Sequence, residues 1–141
     1  MTAFFPRARA PRFPLAEWAA AGPDERHDPY AVRNYLLEQP LSAFFYIVEL
    51  DEENRGLWTI DRPWERIVFV REGQQLYRVN FFGPMAATVT EVDDLITHLE
   101  DALDILNGHA HRMDPTHYEI EKARLKRFYW RFRYEWERDN L

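Results

Sequence analysis

The chain reads as an α+β protein: an antiparallel meander of four or five strands, with an N-terminal helix before it and two C-terminal helices packed on the sheet. Three observations predict this. Asp28-Pro29 and Asp114-Pro115 each offer a capping carboxylate followed by the residue best tolerated at the first helical position. Between residues 43 and 89 the apolar residues come in short runs parted by polar turns, and connections that short join antiparallel strands. From Val92 onward the spacing changes: Val92, Leu95, Ile96, Leu99, Leu103 and Leu106 recur at the helical period.

Residues 1–14 are expected to form an extended arm, because Pro6, Pro11 and Pro14 oppose helix, and residues 15–141 a single α+β domain. A short helix over Leu15–Ala21 ends at Gly22-Pro23. The helix opened by Asp28-Pro29 runs to about Gln39, where Pro40 stops it, and it turns Val32, Tyr35 and Leu36 to one side. Phe44–Val48 is apolar on both alternating faces, with Phe44, Tyr46 and Val48 on one and Phe45 and Ile47 on the other. Leu57–Asp61 is a short second strand and Arg66–Arg71 a third, followed by a hairpin turn at Glu72-Gly73-Gln74. Leu76–Phe82 is a fourth strand and Met85–Val89 a short fifth.

A helix over Glu91–Leu106 is opened by Thr90 and Asp93 and stopped by Asn107-Gly108. Asp114-Pro115 starts the last helix, which reaches about Arg138. In element order and size this layout is similar to that of secretion chaperones, and that resemblance implies a dimeric protein-binding module.

With 141 residues, 46% of them hydrophobic, the chain is long enough for one real core. The net charge of −6 disfavours a protein whose main task is holding a phosphate backbone. Cysteine is absent, which excludes disulfides, thiolate nucleophiles and Cys-type metal sites. The longest apolar run, Ala43–Val48, is far too short to span a bilayer, and no signal-peptide core follows the N-terminal arginines. These features predict a cytoplasmic protein with no membrane partner. Glycines sit only at 22, 56, 73, 83 and 108, so no phosphate loop or dinucleotide fingerprint exists. Ser42, the lone serine, lacks a nucleophile elbow. No cofactor is expected, and no motif names a reaction.

The last helix carries the strongest functional signal. Lys122–Tyr134 holds six basic residues, no acids and five aromatics. Wound as a helix, Tyr118, Leu125, Phe128, Tyr129, Phe132 and Trp136 form a core stripe. Arg124, Arg127, Arg131 and Arg138 flank it on one side, and Lys122, Lys126 and Arg133 on the other. Trp130 and Tyr134 fall opposite the stripe. Three readings compete for that surface. The cations pair with the acidic helix Glu91–Leu106; or Trp130 and Tyr134 anchor a partner protein; or the rings stack on single-stranded nucleic acid while Arg124, Arg127 and Arg131 hold phosphates.

The apolar sheet adds to the second reading. With two long helices on one face, the other face needs the arm, the Asp28 helix or another subunit. The expectation is therefore a non-enzymatic interaction module, homodimeric and chaperone-like or an adaptor, with contacts at Phe45, Ile47, Trp58, Trp130 and Tyr134. A further alternative is a metal site or metal-dependent enzyme at His109, His111 and His117, with Glu121 one turn beyond.

Overall fold

The structure, a computed structural model, describes residues 13–50 and 65–140. Most of the expected arm, the Leu57–Asp61 strand and the contact residue Trp58 lie outside the described residues.

Each helix start has an identifiable cause. Helix α2 (Pro29–Leu37) begins where expected: the Asp28 Oδ1 accepts from the Tyr30 N–H at 3.0 Å, and Pro29 takes the first helical position. Helix α4 (Pro115–Asn140) repeats the device, with Asp114 accepting from the His117 N–H at 3.1 Å. Helix α3 (Leu95–His109) departs from expectation. Strand β4 extends through Glu91, so the helix starts later and Asp94, not Thr90 or Asp93, accepts from the Ile96 and Thr97 N–H groups. Nor does Asn107-Gly108 end it; Gly108 keeps negative φ and the helix continues to His109.

Strands β1 (Phe44–Glu49), β2 (Arg66–Glu72), β3 (Gln75–Phe81) and β4 (Ala87–Glu91) form one antiparallel sheet in sequential order. This is the predicted meander. Gly73, at φ +63°, makes the tight β2–β3 turn where a side-chain-bearing residue is strained.

The two faces of the sheet hold separate cores. Val48, Ile67 and Phe69 pack with Leu99, Ala102 and Leu106 of α3 and Leu125 and Tyr129 of α4. On the opposite face Val68, Val70, Val79 and Val89 pack with Leu15 of α1 (Pro14–Ala20) and Val32 and Leu36 of α2. The second face is thus covered by this chain's own N-terminal helices. Of the covers expected for that face, the Asp28 helix is present, joined by the short helix before it.

A bulge in β1 also alters the predicted alternation. The register shifts between Phe44 and Tyr46, so Phe45 and Tyr46 both lie toward α4, while Phe44 joins Ile47 on the α1–α2 side.

Helix α1 has no cap of its own, because Phe13 at its N-cap offers no acceptor. Its acceptor comes from β2. The buried Glu72 carboxylate takes the Leu15 N–H at 3.0 Å on Oε2 and the Ala16 N–H at 3.1 Å on Oε1. Tyr35 of α2 donates its hydroxyl to the same Oε2 at 2.6 Å. Burial and the neighbouring Glu72 anion push the Tyr35 phenol far above its ordinary range, so it stays a donor. One carboxylate therefore fastens both N-terminal helices to the sheet, at the positive end of the α1 dipole.

Glu72→Ala is predicted to lower stability by roughly 1–3 kcal/mol, since it strands two N–H groups and a hydroxyl. Urea unfolding measures this; a change below about 0.5 kcal/mol would mean that water serves the helix start as well.

Candidate functional site

Helix α4 has an inner and an outer face. The inner face carries more polar chemistry than its sequence suggests. His117 is buried and its Nε2 lies 3.2 Å from the Glu49 carbonyl, which fixes the proton on Nε2. One turn on, the buried Glu121 accepts from the Glu49 N–H at 3.2 Å. Arg124 then donates to the Ile47 carbonyl at 2.6 Å and to Glu121 at 3.0 Å. Three side chains of one helix thus serve backbone groups of β1 on the side away from β2.

The guanidinium of Arg124 also lies over the Tyr46 ring at 4.7 Å, and Tyr46 stacks on Phe128 at 4.2 Å. Phe45 meets Phe128 and Phe132, each at 5.4 Å between centroids. Two expected contact residues, Phe45 and Ile47, are therefore half-buried against this chain's own cores. Arg124, grouped with the phosphate-holding cations, faces inward.

The outer face is different. Trp130 is 59% and Tyr134 66% exposed, one helical turn apart, with exposed Arg127 and Arg131 beside them. The Trp130 indole is braced edge-on against Tyr129 at 5.1 Å, which limits its freedom. Trp136, expected in the core stripe, is half exposed near the helix end.

The expected pairing of basic and acidic helices is slight. Arg133 reaches Glu100 of α3 at 3.7 Å, and Tyr129 donates to the same carboxylate at 2.9 Å. Lys122 and Arg131 instead pair with Glu119 and Glu135 of their own helix, exposed contacts that contribute little. The outer face therefore keeps a positive balance on a chain that is negative as a whole.

The histidines do not converge. His109 sets Nδ1 against the Ile105 carbonyl at 2.9 Å and Nε2 against Glu65 at 3.2 Å. His111 is exposed, and His117 is occupied at β1. Among the described residues no group of three His, Cys, Asp or Glu side chains is placed to hold a metal ion.

A polar cluster escaped the sequence reading. Arg78 and Asn80 of β3 face α3, where the alternate residues Tyr77, Val79 and Phe81 belong to the opposite core. Arg78 donates to Asn80 at 2.9 Å, to the His98 Nδ1 at 3.1 Å and to Asp101 at 2.7 Å. Since arginine has no acceptor, His98 must be unprotonated at Nδ1. The only signal was the period of two placing Arg78 and Asn80 on one face; His98 and Asp101 could not be matched to them without the fold.

Two consequences are measurable. The Tyr46 hydroxyl is buried with no hydrogen-bond partner among the described residues, and burial pushes its phenol up to about 12. Tyr46→Phe is predicted to raise stability by about 1 kcal/mol, since the ring contacts remain and an unmet polar group is removed; a loss in urea unfolding contradicts this. Burial, then the Arg78 charge, holds the His98 imidazole below its ordinary 6.5. Unfolding then takes up a proton, so the His98 contribution is intact above about pH 6.5 and is lost as acid lowers the pH through the folded value. His98→Gln, which keeps an acceptor for Arg78, is expected to flatten that decline in thermal unfolding between about pH 7 and 5.

No described helix is long and apolar enough to cross a membrane. No protein-family model, curated protein or solved structure matches this chain.

Proposed function

We propose that this chain is a non-enzymatic protein-interaction module that docks an acidic, partly apolar surface of a partner protein on the outer face of α4. One observation carries the reading: Trp130 and Tyr134 stand out together beside Arg127 and Arg131, while Phe45, Tyr46, Phe128 and Phe132 are packed against one another. Trp, Tyr and Arg are the usual anchors of protein interfaces, and a pre-ordered helix face loses little entropy on docking. Basic side chains around the rings favour a partner with carboxylates, and they speed its encounter. The sheet no longer argues for a second copy, because both of its faces are occupied from within; self-association remains a measurable case of the same docking.

The test compares the wild type with Trp130→Ala/Tyr134→Ala. Both rings are exposed, so melting is expected to stay unchanged while partner affinity falls about 30-fold or more, the loss typical of a central anchor. Sedimentation over a concentration range reads whether the partner is a second copy. Equal affinity of both proteins for the captured partner defeats the reading. Tight, steeply salt-dependent binding of single-stranded RNA or DNA, lost in the double variant, replaces it with the nucleic-acid alternative.

A further inference from the structure

An open groove of about 540 Å3 lies between α3 and the polar half of the sheet. Cavities of that size accept small organic molecules. The base of the groove is balanced in charge: the Arg78 cation is matched by Asp101 at 2.7 Å, and Arg78 also donates to Asn80 and His98. The rim differs.

Asp24 and Arg26 come from the loop between α1 and α2, and neither forms an ion pair among the described residues. Arg26 only lies over the Phe82 ring, at 5.5 Å. On the β4 wall Thr88 and Thr90 are half-buried, and neither hydroxyl makes a hydrogen bond among the described residues. The mouth thus offers one uncompensated carboxylate, one uncompensated guanidinium and two hydroxyls around a cavity of zero net charge.

We infer that this groove binds a small zwitterion of the free amino-acid class, its carboxylate on Arg26 and the two threonine hydroxyls and its ammonium on Asp24. A simple anion gains Arg26 but meets two carboxylates. A simple cation gains Asp24 but meets two guanidiniums. A compact molecule bearing both charges answers both open groups, and the Phe82 ring and Pro23 supply apolar contact for its side chain. This site shares no residue with the outer face of α4, so it stands apart from the docking reading.

The experiment is calorimetric titration of the full chain with the common amino acids. For L-phenylalanine it includes phenethylamine, which lacks the carboxylate, and hydrocinnamate, which lacks the ammonium. Saturable binding of an amino acid is expected, weakened about tenfold or more by loss of either charge. Arg26→Gln and Asp24→Asn, both at exposed positions, are each expected to weaken it about as much with melting unchanged. Absence of saturable binding by any common amino acid up to about 10 mM overturns the inference. So does binding that both substitutions leave intact, or an analogue with one charge that binds as well as the amino acid.

Discussion

The contact on which the arrangement of this molecule depends is that between α4 and the backbone of β1. A strand exposes N–H and C=O groups on any side that lacks a neighbour, and such groups are costly when buried without partners. Here a helix takes the neighbour's place. His117, Glu121 and Arg124 recur at helical spacing, and together they answer Glu49 twice and Ile47 once. Because three hydrogen bonds fix the axial position of α4, Phe128 arrives over Tyr46 and Phe132 over Phe45. A slide of one residue along the helix breaks both sets together. The side of α4 facing away is then determined by geometry, and Trp130 and Tyr134 are on it.

The same logic explains why a helix so rich in cations is not a uniform basic surface. Arg124 is drawn inward by Glu121 and a carbonyl, and Arg133 is held by Glu137, the Tyr129 hydroxyl and, more distantly, Glu100. What remains outward beside the two rings is a narrow band of Lys126, Arg127 and Arg131, the last paired with Glu135 of the same helix. A band of that kind suits a few well-placed carboxylates and apolar groups better than a long polyanion, in keeping with the negative charge of the whole chain.

Much of the fold was legible because its signals are local. Asp28-Pro29 and Asp114-Pro115 cap helices by contacts within two or three residues, and the alternation of Ile67, Val68, Phe69 and Val70 reports two buried faces directly. Helix α3 starts later than the Thr90–Asp93 pair predicts because Thr90 and Glu91 are paired with Arg78 and Tyr77 of β3, and Asp94 is then the cap. The bulge at Phe45 has no sequence mark, since every residue from Ala43 to Val48 is apolar. Exposure of Trp130 and Tyr134 could be read from helical phase alone. The inward turn of Arg124 could not, because it depends on a carbonyl 77 residues away. Glu72 looked like one more turn acid; its work lies 56 and 57 positions earlier in the chain. Polar residues on an apolar stripe, such as His117 and Glu121, were the available hint that backbone elsewhere was being served.

The sheet also acts as a partition. Apolar side chains on its two sides form separate clusters, one closed by α1 and α2 and the other by α3 and α4. Among the described residues the buried apolar side chains of the thinner N-terminal side and the thicker C-terminal one belong to separate clusters, so repacking damage passes between them through strand backbone already pinned by ladders. Sequence drift in α1 and α2 is accordingly insulated from the long helix that carries the outward rings, and the two halves are at liberty to diverge at different speeds.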